Sequence, residues 1–177
     1  LTALIVLGVL LAAPGMSARA QAPLPMIVNE VDYDHPGDNA EFIELYNPNG
    51  VSVNIDAYVV ELAGFDPAVV YRTFDLPNVT VEAYDYYVIC GNAANTPNCD
   101  LDVTPDTYMI GDSSPGAVAL RLSGVLVDTV SYEGNTGAPY TETSGVGLVD
   151  TGSVPYQGIS RFPNAVDTND NNVDFSP

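Results

Sequence analysis

Hydrophobic residues change their rhythm along this chain. Residues 4–13 (LIVLGVLLAA) form an apolar run with no polar face. A run of ten cannot cross a bilayer, which takes about 20 apolar residues. With Pro14, Gly15 and Ala18-Arg19-Ala20 behind it, it has the hydrophobic core and small-x-small end of a secretory leader. Cleavage is expected after Ala20, because a cut after Ala22 would place Pro23 beside the scissile bond. Residues 1–20 therefore read as a signal peptide, 21–24 as a short link and 25–177 as one domain.

Past the leader the period shortens to two. Short runs rich in Val, Ile, Tyr and Thr, separated by Gly, Pro, Asn and Asp, predict strands over 26–33, 41–47, 52–55, 57–62, 69–76, 79–83, 86–90, 107–110, 117–122 and 126–132. Val118, Leu120 and Leu122 point one way and Arg121 the other; Ile43 and Leu45 share a face opposite Glu44. Turns stand at Pro36-Gly37-Asp38, Pro48-Asn49-Gly50, Ser123-Gly124 and Glu133-Gly134-Asn135, and Ser123-Gly124 has hairpin spacing. No stretch of ten residues carries a helical period. Strands buried on one face and recurring at this interval predict an all-β sandwich of two antiparallel sheets. From Asn164 onward the chain shifts to Asn and Asp, which reads as a final edge strand with polar turns or as the start of a linker.

Charge narrows the function. The chain has 23 acidic residues against four arginines (Arg19, Arg72, Arg121 and Arg161), a formal net charge of −19. Loss of Arg19 with the leader leaves 3 − 23 = −20. Nucleic-acid affinity comes from many Lys and Arg contacts to phosphate, and anionic headgroups repel such a chain. Direct nucleic-acid and membrane binding are therefore not expected. His35 is the single histidine, which excludes a metal site of several imidazoles. A hydrophobic content of 46% with 11 Tyr suffices for a packed core.

Export also decides how Cys90 and Cys99 are read. Two cysteines with eight residues between them, in an oxidising compartment, predict a disulfide that pins residues 91–98. Zinc would need two further ligands that one histidine cannot supply. The rival, a reactive thiol pair, usually has two intervening residues at a helix start.

Other chemistry competes with plainer roles. Glu30 with Glu44, or Glu41 with Glu44, has the makings of an acid/base pair or a cation site, against a plain role on the solvent face of the first sheet. Asp167, Asn169 and Asn171 have the D-x-N-x-N spacing of a calcium loop, with Asp174 as a fourth oxygen donor. Asn172 stands where the twelve-residue loop wants Gly, and its closing Glu would fall beyond Pro177. The commoner reading is a polar surface turn, with no cofactor. His35 precedes a turn and no Gly-x-Ser-x-Gly elbow accompanies it, so a Ser/His/Asp site is not expected. Tyr84, Tyr86 and Tyr87 suit sugar or peptide stacking, or a sandwich core with hydroxyls at its rim.

The blocks Ile27-Val28-Asn29-Glu30-Val31-Asp32-Tyr33-Asp34 and Glu41-Phe42-Ile43-Glu44-Leu45-Tyr46-Asn47 resemble the opening of bacterial lamin tail domains. So do Tyr87-Val88-Ile89-Cys90-Gly91-Asn92 with Cys99-Asp100-Leu101-Asp102, then Asp128-Thr129-Val130-Ser131-Tyr132, and finally Gly158-Ile159-Ser160-Arg161-Phe162-Pro163-Asn164 with Asp167. The resemblance runs in order from about residue 25 to 177 and implies an immunoglobulin-like sandwich, in agreement with the strand pattern. Together with the leader and the lone histidine, it leads to the expectation of a non-catalytic, monomeric module, secreted or held at the cell surface, that presents loops or a sheet edge to an extracellular or envelope protein or polysaccharide. The version with the Cys90/Cys99 block is most similar to the N-terminal module of secreted nucleases of the endonuclease/exonuclease/phosphatase type. The alternative function is thus an accessory domain whose catalytic partner lies outside this chain.

Overall fold

The computed structural model describes residues 22–112, 114–152 and 157–177, and the expected leader at 1–20 lies outside the described residues. The elements in order are β1 (Ile27–Asp32), β2 (Phe42–Tyr46), β3 (Val53–Asn54), β4 (Tyr58–Gly64), β5 (Val69–Asp75), β6 (Thr80–Val81), β7 (Tyr86–Cys90), β8 (Leu101–Asp102), β9 (Gly116–Leu122), β10 (Val125–Tyr132), β11 (Ile159–Arg161), a single helical turn α1 (Asn171–Asp174) and β12 (Phe175–Ser176). One sheet runs β12-β11-β1-β2-β7-β8 and the other β10-β9-β4-β5, with β3 and β6 as a separate ribbon. Among these pairings only β7 with β8 is parallel. This is the all-β sandwich that the alternation predicts.

The two sheets meet through Val28, Val31, Ile43, Leu45 and Ile89 on one side and Tyr58, Val60, Leu62, Val118, Leu120 and Val130 on the other, all essentially without solvent contact. In β2 the alternation is direct: Ile43 and Leu45 are buried while Phe42, Glu44 and Tyr46 are half-buried on the outer face. In β1 it is reset by a bulge. Val28 pairs with Leu45 but Glu30 pairs with Glu44, leaving Asn29 as the extra residue. The bulge lets Val28 and Val31 both face the core and turns Glu30 outward. Ser123 and Gly124 join β9 to β10 with φ of 51° and 82°, the double positive φ of the tight hairpin turn that matches strand twist.

Two features depart from the sequence expectation, and a third decides between two readings of the tail. Residues 107–110 form no strand. Met109 and Ile110 are fully buried, but their segment closes one end of the sandwich as bends. Its backbone is satisfied by side chains: Ile110 N–H donates to Glu41 Oε2 at 2.8 Å, and Arg72 Nη1 donates to the carbonyls of Tyr108 and Met109. Secondly, β9 is buried on both faces. Ala63, Ala117 and Ala119 make a shallow outer surface on which Tyr140 packs. Thr129 Oγ1 donates to the Tyr140 carbonyl at 3.2 Å, and the Tyr140 hydroxyl to Glu61 at 2.9 Å. Of the two readings of the Asn/Asp-rich tail, the structure has the final edge strand: β12 extends the first sheet by pairing with β11.

Candidate functional site

The outer face of the six-stranded sheet carries a groove of about 660 Å³. Its floor follows from register. Glu30 stands opposite Glu44 across β1 and β2, and Glu44 opposite Val88 across β2 and β7. On the far side Glu30 pairs with Ser160 of β11. Tyr46 and Tyr86, partners in the next row, lie with ring centroids 5.0 Å apart and tilted by 43°. The Asn164 side-chain amide donates to the Tyr86 hydroxyl.

One wall is the loop that the disulfide holds. Cys90 and Cys99 are bonded, with 5.8 Å between their Cα atoms, as expected from their spacing. Thr96, Pro97, Asn98 and Asp100 from this loop line the groove. Asp100 is locked to β7, its carboxylate accepting from Val88 N–H at 2.9 Å and its own N–H donating to the Val88 carbonyl at 2.9 Å.

Like charges directly opposite one another destabilise a strand pair, so the Glu30–Glu44 facing costs the fold something. Burial, then the Glu44 charge, pushes the Glu30 carboxyl up, while a Ser160 hydrogen bond opposes the shift. Burial pushes Glu44 up as well, against the Asn29 amide, which donates to Glu44 Oε1 at 2.8 Å. The groove thus offers two half-buried carboxyls of raised proton affinity beside an accessible tyrosine ring. Such a surface can donate to and accept from hydroxyl groups, and a ring face can stack on a flat apolar patch.

The other expected pairings sort differently. Glu41 does not accompany Glu44. It is 1% exposed and turns inward to Ile110, and burial pushes its carboxyl up to about 8. His35 Nδ1 lies 3.2 Å from Asp32 Oδ2, both residues being buried. Tyr87 joins the core while Tyr84 and Tyr86 reach solvent.

The four oxygen donors of the calcium-like spacing serve the fold in distinct ways. Asp174 Oδ2 accepts from Arg161 Nη1 at 3.1 Å and from Thr168 N–H at 2.8 Å, and its Oδ1 from the Thr168 hydroxyl at 2.8 Å. Asn171 is wholly buried; its Oδ1 accepts from Ser131 N–H and its Nδ2 donates to the Thr129 carbonyl. Asp167 lies 3.6 Å from Arg161 and caps Asn169 N–H at 3.0 Å. Asn169 itself lends its carbonyl to the Thr143 hydroxyl. These contacts tie the tail to β10 and to residues 142–143.

Arg161 is the residue whose role composition did not disclose. Its side chain is 0% exposed. Nη2 donates to both oxygens of Asp128 at 2.9 and 3.1 Å, Nε to the Val28 carbonyl at 3.0 Å and Nη1 to the Val166 carbonyl at 2.8 Å. The guanidinium carbon sits 4.5 Å from the centroid of the Phe175 ring. The sequence signal is that both Arg161 and Asp128 fall inside the blocks that carry the resemblance.

Among proteins of known family, the family model described as Lamin Tail Domain matches residues 19–134. No curated protein matches the chain.

Proposed function

Because the chain belongs to the lamin tail domain family, whose members are non-catalytic immunoglobulin-like modules, we propose that it acts by binding: an exported module whose outer sheet face engages an extracellular or cell-envelope polysaccharide. The observation that supports this reading is the groove in which Glu30 and Glu44 face each other beside Tyr86. Carboxyls of raised proton affinity suit sugar hydroxyls, which need donors and acceptors together. An accessible tyrosine adds a stacking face. The strong negative charge of the chain favours a neutral or cationic polymer over a polyanion. The short disulfide-clipped wall keeps the groove in one shape, so little ordering entropy is lost on binding.

Retention of the purified protein on insoluble envelope glycans tests the proposal. Tyr86→Ala and Glu44→Gln are each expected to weaken retention at least several-fold while leaving the melting temperature nearly unchanged. Retention that neither substitution moves would assign the partner to another surface. Capture only by envelope protein would replace the polysaccharide with a protein partner. Export is tested by the mature N-terminus, expected at Gln21.

The resemblance of the Cys90/Cys99 block to nuclease N-terminal modules supports a related arrangement, in which the groove serves as the targeting arm of a catalytic domain. A reading frame that continues past Pro177 into such a domain would establish it.

A further inference from the structure

The two sides of the sandwich are finished differently. On one, Arg161 and Asp128 join β11 to β10. On the other, β8 is the last strand of the first sheet and β5 the last of the second, with a groove of about 450 Å³ between them. Phe74, Leu101 and Val103 line this groove and pack against the core. Asp75 and Asp102, both exposed, line it too. Arg72 is also in the lining, but its Nη1 is committed to the carbonyls of Tyr108 and Met109.

The main chain of β5 is open on this side. Leu76 N–H donates to the Tyr58 carbonyl at 3.0 Å, and from Arg72 to Asp75 the register with β4 is regular. Hydrogen-bonded and non-hydrogen-bonded residues alternate along an antiparallel ladder. Phe74 and Arg72 therefore bond to β4, whereas the N–H and C=O of Thr73 and Asp75 point away from it, towards the open edge. Native edges are commonly blunted by Lys, Pro or a bulge; the stretch from Arg72 to Asp75 has none of these.

We propose that this edge takes up an extended peptide segment of another protein, one that alternates apolar and basic residues, as an added strand beside β5. Thr73 and Asp75 supply main-chain hydrogen bonds, which serve any sequence, and the groove supplies the selection. Successive side chains of a strand point to opposite faces. Every second residue of the guest thus meets Phe74, Leu101 and Val103, and those between lie at the rim with Asp75 and Asp102. Apolar side chains suit the first positions, Lys or Arg the second. The net charge of −19 acts in the same sense, drawing in a basic segment and repelling a second copy of this chain. This surface is separate from the groove of Glu30 and Glu44 and does not rest on the polysaccharide reading.

The probe is a synthetic decapeptide alternating Val and Lys, with the matching Val/Glu peptide as control. Fluorescence anisotropy with the purified protein at low ionic strength measures binding, and amide hydrogen exchange locates it. The Val/Lys peptide is expected to bind saturably and to slow exchange at Thr73 and Asp75, and the Val/Glu peptide not to bind. Thr73→Pro removes an edge-facing N–H while sparing the β4 ladder, and should weaken binding at least about tenfold. Asp75→Lys/Asp102→Lys should weaken it as much by reversing the rim charge, and decides the matter if the proline variant fails to fold. Tyr86→Ala, in the other groove, should bind the peptide as the parent does. No binding of the Val/Lys peptide, or equal binding of the Val/Glu peptide, would overturn the proposal. So would undiminished binding in the charge-reversed variant, or loss of binding in Tyr86→Ala, which would move the peptide to the other groove. A dimer in sedimentation that Thr73→Pro dissolves would replace the peptide with a second copy of the chain and overturn the assignment.

Discussion

Arg161 Nη2 lies 2.9 Å from Asp128 Oδ1, with both side chains fully removed from solvent. This pair joins β11, an outer strand of the first sheet, to β10, an edge strand of the second. Asp128 Oδ2 also accepts from Val28 N–H at 2.6 Å, so β1 is held at the same point. The chain therefore closes one side of its sandwich with a buried ion pair.

Arg161→Met is expected to destabilise the protein by about 3–5 kcal/mol, because it leaves Asp128 and Asp174 buried without their cation. Denaturant unfolding measures the loss. Arg161→Met combined with Asp128→Leu should recover part of it, since the stranded charge is then gone. A single variant within about 1 kcal/mol of the parent would show that the pair is dispensable.

Stability should fall as pH rises. Burial above all pushes Asp32, Glu41 and Glu142 up to about 8, and Asp128 up to about 6 despite Arg161. In the unfolded chain such groups titrate near about 4. Between those values the folded state binds more protons than the unfolded one, so the unfolding free energy decreases with pH. The contribution is complete below about pH 4, and is lost as pH climbs through about 6 and then about 8. Melting temperatures in chelator are expected to be several degrees higher near pH 5.5 than near pH 8.5, at about the scale of one or two protons. A rise towards alkaline pH would contradict these burials.

Replacing Cys90 and Cys99 by Ser should cost about 2–3 kcal/mol, the loop-closure value for a segment of this length. Because Thr96, Pro97 and Asn98 wall the groove, the same variant should also lose glycan retention. Intact retention would separate the wall from the binding surface.

Gly145 offers a test of the outer layer. A Cβ there would fall 2.2 Å from the Ser131 carbonyl oxygen and 2.5 Å from that of Gly134, both backbone atoms that cannot swing aside. Gly145→Ala is expected to cost about 2–3 kcal/mol, while Gly124→Ala, in open space though at positive φ, should cost less. Chemical denaturation of the two variants compares them.

Local pattern alone determined the strand content, the Ser123-Gly124 hairpin and the outward setting of Glu44, because the two-residue period and turn chemistry act between neighbours. The spacing of Cys90 and Cys99, read with the expected export, likewise determined their bond. Tertiary structure decided what period cannot encode. Residues 107–110 have strand composition, yet Met109 and Ile110 plug an end of the core, where Arg72 and Glu41 replace a neighbouring strand. Ala117 and Ala119 become buried because Tyr140 packs across them. The sequence places Asp174 with the calcium-like spacing of Asp167, Asn169 and Asn171, and Arg161 and Asp128 in separate blocks; folding makes one buried ionic centre of Arg161, Asp128 and Asp174. The free edges of β5 and β8 line one groove only because two sheets stack, and contacts between strands that far apart in the chain are set by the fold.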